Sequence, residues 1–176
     1  MQRAGQAAAE WAAHICAPPT QVLALVGPGN NGGDALVTAR LLLTMGFQVT
    51  VVMPLVAQLA PLDAQKALAD WRALGQPTFT TLPHQKPDMV IDGLFGIGLS
   101  RPLAEPFQSV IDKVNAWHTT VLALDIASGI DAETGFALGR PIKATQTIAF
   151  IAPCRAFQAP CAQPFLGQCR VASLNI

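Results

Sequence analysis

Three short stretches of this 176-residue sequence hold the residue types that could do chemistry. The first is Gly27-Pro28-Gly29-Asn30-Asn31-Gly32-Gly33-Asp34. An apolar run, residues 22–26, precedes it, and residues 35–43 after it have the composition of a helix. A strand, a glycine-rich turn and a helix in that order make an anion-binding device. Glycine lets the backbone turn sharply and approach a ligand closely, and the first helical turn presents unpaired N–H groups. The second stretch begins at Asp92 and runs through glycines to Arg101 and Pro102. The third begins at Asp125 and includes Ser128 and Asp131.

Asp92 and Asp125 each close an apolar run, where a carboxylate is costly to desolvate without a partner. A cation, a ligand hydroxyl or backbone N–H groups would supply one. Asn31, Asp92 and Ser128 offer hard oxygen atoms suited to a group-one or group-two cation and not to a transition metal. Arg101 is the best-placed cation for a ligand phosphate. The first loop lacks the Gly-Lys-Ser/Thr of a Walker motif, and no acidic residue ends the next strand as in a dinucleotide fingerprint. Taken alone it also reads as a tight turn whose Asn and Asp cap the helix. Ser128 lacks a G-x-S-x-G setting, and no histidine follows it, which argues against a hydrolase nucleophile.

These loops need a scaffold, and the rest of the chain describes one. Residues 1–15 read as a helix with Ala4, Ala7, Ala8, Trp11, Ala12 and Ile15 on one face, ended by Pro18 and Pro19. Residues 48–53 read as a strand. Residues 59–74 read as a helix with Leu62, Leu68, Trp71 and Leu74 in the core, and 78–81 as a short strand. Strands are expected at 88–92, 120–125 and 145–151, and a helix at 104–117 with Phe107, Val110, Ile111 and Val114 inward. The tail from 152 reads as irregular, with a last strand near 169–174. Nearly all-apolar strands alternating with helices indicate a mostly parallel sheet covered on both faces, a Rossmann-like three-layer α/β/α sandwich. In such a sheet ligands bind at the carboxyl ends of the strands, where the strand order reverses. All three loops leave such ends.

Composition narrows the class. Hydrophobic residues make up 51% and charged residues 12%, with 11 basic and 11 acidic side chains, so one core-rich domain over 1–176 is expected. The neutral balance offers no footprint for nucleic acid or an anionic membrane, and the low charge leaves surface available for self-association. No apolar run is long enough to cross a bilayer and no signal pattern opens the chain, so a soluble, cytoplasmic protein is expected. Cys16, Cys154, Cys161 and Cys169 form no C-x-x-C pair, and read as free thiols. Trp11, Trp71 and Trp117 read as packing residues, His84 and His118 as solvated, and Asp131 and Glu133 as shaping a turn with Gly135.

Taken together, residues 27–34, 92–102 and 124–131 resemble the signature loops of the YjeF N-terminal domain family, the NAD(P)H-hydrate epimerases, in order and spacing over nearly the whole chain. The start of the chain resembles a point inside the usual domain start. The resemblance implies a doubly wound Rossmann-like fold, usually dimeric, that interconverts the R and S forms of hydrated NADH and NADPH. A companion ADP- or ATP-dependent dehydratase then repairs the S form. It implies potassium on positions matching Asn31, Asp92 and Ser128. It implies substrate against Asn30, Asn31, Gly32, Gly33, Asp34, Gly96, Ile97, Gly98, Leu99, Ser100, Arg101, Pro102 and Asp125. A carboxylate that protonates a leaving hydroxyl and later takes a proton from water would serve this reaction, and Asp125, rigid at a strand end, is the candidate. Ala35, Ile97 and Ala127 stand where the family usually has Gly, often Thr and often Pro. Thr145 and Cys154, with Arg155 adjacent, stand where it tends to have Asp and Lys. The alternative these departures leave is a non-catalytic nucleotide-binding or protein-binding scaffold of the same fold.

Overall fold

The strands sort their side chains by parity. In the computed structural model, which describes residues 1–55 and 61–174, β1 spans Gln21–Val26. Its Val22, Ala24 and Val26 join one buried cluster, and its Leu23 and Leu25 join another on the opposite face. Side chains alternate across a strand, so a run apolar at every position must be covered on both faces.

The order continues as α2 (Asn30–Thr44), β2 (Gln48–Val52), α3 (Leu62–Ala73), β3 (Thr78–Phe79), β4 (Met89–Gly93), α4 (Phe107–Trp117), β5 (Thr120–Leu124) and β6 (Gln146–Phe150). Helix α1 (Gln2–Ile15) precedes β1; a 3₁₀ turn, Arg155–Gln158, the one-turn α5 (Gln163–Leu166) and β7 (Gln168–Ala172) follow β6. The sheet order is β3-β2-β1-β4-β5-β6-β7, and each of these pairings is parallel. Helices α1, α2 and α3 bury Ala8, Ala12, Leu36, Leu42 and Trp71 on one face, while α4 brings Phe107, Val110, Ile111 and Val114 to the other, together with Ala156, Ala162 and Leu166 of the tail. This is the expected three-layer sandwich. The strand order reverses between β1 and β4, where Leu25 lies opposite Asp92 and Val26 opposite Gly93.

Several expectations change. Helix α2 begins at Asn30, not Ala35, so the first loop's polar residues lie on the helix itself. Helix α4 starts at Phe107 after Pro106. Leu62 is 80% exposed and Leu74 45%, so neither is a core residue; they sit at the two ends of α3, where the inward face is carried by Ala64, Ala67 and Trp71. The part of the expected third helix before Pro61 lies outside the described residues. Trp71 is fully buried, and its indole N–H donates to the Pro77 carbonyl at 3.1 Å. Trp11 stacks with His14 beneath the Arg170 guanidinium and donates to Gln146 Oε1 at 2.7 Å. His84 and His118 are exposed, as expected. Among the described residues no helix is long and apolar enough to cross a membrane.

Candidate functional site

The crevice at the switch between β1 and β4 is closed by glycines that work through close approach. A Cβ on Gly27 would lie 1.6 Å from the Leu94 carbonyl oxygen, and one on Gly32 would lie 2.0 Å from the Gly27 oxygen. Neither has a positive φ, so what these positions require is space, not the left-handed region. The Gly27 N–H donates to the Gly93 oxygen at 3.0 Å, tying the first loop to the second. Gly29 is the N-cap of α2, and no side chain caps the helix. The capping role for Asn and Asp is therefore corrected. Asn30 and Asn31 occupy the first turn, with Asn30 exposed and Asn31 buried.

Beneath this turn Asp92 and Ser128 form a hydrogen-bonded knot. Asp92 is fully buried. Its Oδ1 accepts from Ser128 Oγ at 2.6 Å and from the Leu94 N–H at 3.2 Å, and its Oδ2 accepts from the Ser128 N–H at 2.8 Å. Ser128 Oγ also accepts from the Phe95 N–H at 2.9 Å. Every donor is neutral. Burial therefore dominates and pushes the Asp92 carboxyl up to about 6, with the Ser128 and Leu94 hydrogen bonds opposing it.

One strand over, Asp125 follows β5 with φ at +70°, a left-handed conformation uncommon for a residue other than glycine. Its N–H donates to the Ile148 oxygen at 2.8 Å, which holds the kink, and its Oδ2 accepts from the Ile97 N–H at 3.0 Å. Burial raises its pKa, and the Ile97 hydrogen bond opposes the rise. Asn31 donates through Nδ2 to the Leu124 oxygen at 3.1 Å, beside Asp125. Gly96 fits between them: a Cβ there would lie 2.6 Å from Asp125 Oδ2 and 3.4 Å from Asn31 Cβ and Cγ.

Among the described residues two buried side-chain oxygens have no hydrogen-bond partner, Asn31 Oδ1 and Asp34 Oδ1. Native proteins rarely leave such atoms unpaired without a ligand, ion or water to meet them. The Met1 amine lies 3.8 Å from Asp34 Oδ1. Burial nevertheless pushes the Asp34 carboxyl up to about 7; the Met1 amine lowers it, and the Asp125 charge adds to the rise.

The three loops thus meet at one edge, as expected. Within residues 96–102, Gly96 and the Ile97 N–H reach the inner crevice, whereas the side chains beyond Gly96 do not. Ile97, Gly98, Ser100, Arg101 and Pro102 are exposed and Leu99 is half-buried, so they form its outer rim. Asp131 shapes its turn by accepting at Oδ1 from the Glu133 and Thr134 N–H groups, whereas the exposed Glu133 side chain lies 3.5 Å from Arg155. Thr145 lies at the opposite edge of the sheet, where its Oγ1 pairs with the Val121 N–H and oxygen at 3.0 and 2.9 Å. Cys154 sits on the site's side, after β6. Burial chiefly raises its thiol pKa, and the Asp125 charge contributes. The inward-facing Asp34 and the kink at Asp125 have no signature in residue type or spacing.

The family model described as YjeF-related protein N-terminus matches residues 1–156, which includes all three loops. The chain belongs to that family. It is 49% identical, over 100% of its own length and 79% of the relative's, to a protein of Bordetella bronchiseptica named NAD(P)H-hydrate epimerase. It is 53% identical, over 91% of the chain and 77% of the relative, to one of the same name from Achromobacter xylosoxidans. It is also 38% identical to a bifunctional NAD(P)H-hydrate repair enzyme of Leishmania braziliensis, covering 32% of that longer protein. The crystal structure of yeast ynu0 superposes with a TM-score of 0.80 over 89% of this chain and 72% of that one at 20% identity, a likeness of fold.

Proposed function

We propose that this chain is an NAD(P)H-hydrate epimerase, inverting the hydroxyl-bearing carbon of hydrated NADH and NADPH. The observation that carries this reading is the Asp125 carboxyl, fixed by a backbone kink against the glycine loop and beside the first turn of α2. The ring nitrogen next to the hydroxylated carbon can push out the hydroxyl, leaving a planar iminium. Asp125 is placed to exchange protons with the oxygen, and burial raises its carboxyl above the ordinary range while the Ile97 hydrogen bond opposes the rise. The α2 N-terminus faces the crevice as an anion site, and Arg101 stands on the rim for a phosphate.

A potassium ion fits Asn31, Asp92 and Ser128. What supports it is a donor set of hard oxygens, an unpartnered Asn31 Oδ1 and a buried carboxylate whose donors are all neutral. When bound, such an ion supplies a fixed positive charge beside the nucleotide. The low surface charge and exposed edge strand β7 support self-association as a homodimer. Similarity to relatives named as bifunctional repair enzymes supports a functional link to an ADP- or ATP-dependent dehydratase. Thr145 pairs with the Val121 backbone at the end of the sheet away from the crevice, which weighs against counting it toward the scaffold alternative.

The test supplies the R hydrate of NADH together with a dehydratase that consumes only the S form, with and without potassium. Accelerated clearance by the wild type, lost in Asp125→Asn, is the expected result. Folded wild-type protein that leaves the rate unchanged refutes the epimerase and favours the scaffold.

A further inference from the structure

Inversion through a planar iminium makes a demand that one fixed carboxyl does not meet. Water must leave one face of the ring and another must arrive at the opposite face. A proton carrier has to stand within about 3 Å of the oxygen it serves. Asp125, held by the kink after β5 and by the Ile97 N–H, covers one side. The first turn of α2 stands beside it, since a Cβ on Gly96 would meet both Asp125 and Asn31. Asn31 is pinned to that junction by its hydrogen bond to the Leu124 oxygen, and Asp34 lies three residues further on, on the same helical face. Asp34 Oδ1 is buried, has no hydrogen-bond partner among the described residues, and faces the Met1 amine at 3.8 Å.

The geometry points to Asp34 as a second catalytic residue, its carboxyl serving one face of the hydroxylated ring while that of Asp125 serves the other. The inference rests on the epimerase reading above. In one direction the Asp34 carboxyl gives its proton to the hydroxyl oxygen. The carbon–oxygen bond breaks, the nitrogen lone pair forms the carbon–nitrogen double bond, and water departs. A second water then bonds to the carbon from the other face, the double-bond pair returns to nitrogen, and Asp125 takes the released proton. The reverse direction begins with the proton on Asp125, and exchange with solvent resets the pair. A carboxyl pushed up to about 7, chiefly by burial, is suited to carry a proton either way near neutral pH.

Oxygen-18 water separates this from single-carboxyl chemistry. The R and S hydrates are incubated separately with wild type, Asp34→Asn and Asp125→Asn, and both inversion and label uptake at the hydroxyl are followed above the uncatalysed rate. Wild type inverts and labels both epimers. Asp34→Asn is expected to lose inversion by 100-fold or more while still labelling one epimer with retention, and Asp125→Asn to label only the other. The assignment is overturned if Asp34→Asn inverts within a few-fold of wild type, labels both epimers, or labels neither. Should Asp34→Asn fail to fold, by circular dichroism, Asp125→Asn decides: label in both epimers or in neither refutes the pairing. An inactive wild type overturns the epimerase reading itself, whereas an active wild type with an active Asp34→Asn overturns only the role of Asp34.

Discussion

Replacing Gly32 by alanine sets two effects of opposite sign against each other. Helix propensity favours alanine over glycine by at most about 1 kcal/mol, and Gly32 is on α2. Packing opposes it, because the new Cβ would stand 2.0 Å from the Gly27 oxygen, where ordinary contact begins near 3.4 Å. The obstacle is backbone and cannot rotate aside. Gly27 cannot retreat either, since its own Cα faces the Leu94 carbonyl and its N–H is bonded to Gly93. Overpacking costs about 1–3 kcal/mol in ordinary cores and more where nothing yields, so a net loss of about 2–4 kcal/mol is expected. For a domain of this size that lowers Tm by about 5–15 °C. Gly29→Ala is the control, since nothing lies within 4 Å of its Cβ position and its φ of −101° suits any residue; losing the N-cap glycine costs under about 1 kcal/mol. Urea unfolding of both variants measures the difference. The same strain moves Asn31 and Asp34 relative to Asp125, and a displacement near 1 Å costs about 100-fold in kcat/KM. A Gly32→Ala variant as stable as Gly29→Ala refutes the close-approach account of this loop.

Stability should also fall as pH rises from about 4 to 7 in ligand-free buffer of low potassium. Asp92, Asp34 and Asp125 hold protons more tightly folded than unfolded, so unfolding releases protons across that window. Carrying Asp92 from its ordinary 3.8 to about 6 is worth about 3 kcal/mol. Asp112 and Asp131 are lowered, chiefly by their hydrogen bonds to Arg140 and Thr134, and act below that window, losing their contribution only as pH falls through their folded values. Calorimetry should give a higher Tm at pH 5 than at pH 7.5; a flat or rising profile contradicts it. Thr145→Val removes a hydroxyl that pairs with the Val121 backbone far from the crevice, so it should lower stability by about 1 kcal/mol and leave turnover per folded molecule unchanged. Loss of kcat in that variant would place Thr145 in the chemistry.

The parts of the fold that sequence revealed were those written in long-range patterning. Strands β1, β4 and β5 are apolar at successive positions, which requires cover on both faces and hence a parallel sheet. Asp92 and Asp125 stood out because each interrupts such a run. What stayed hidden depended on tertiary contacts. Leu62 and Leu74 have core chemistry, but the inner face of α3 is filled by alanines and Trp71. Asn30-Asn31-Gly32-Gly33 has turn composition, yet α2 begins there under a glycine N-cap. The asymmetry between Gly96, inside the crevice, and residues 97–102 on its rim comes from the path of the loop and not from its residue types.

The central pairing of β1 with β4 has a consequence for how the chain matures. β1 and β2 can associate as soon as both exist, whereas the crevice requires Val22 to find Met89 across the whole intervening unit. Such distant parallel pairing forms slowly. A nascent chain that has not yet released Ser128 holds half a crevice and cannot complete the Asp92 knot. Capture of a ligand therefore arrives only with the finished sheet, and once present it withdraws molecules from the unfolding equilibrium by mass action. Nucleotide retention on a translating ribosome would thus time the completion of the sheet beyond β5.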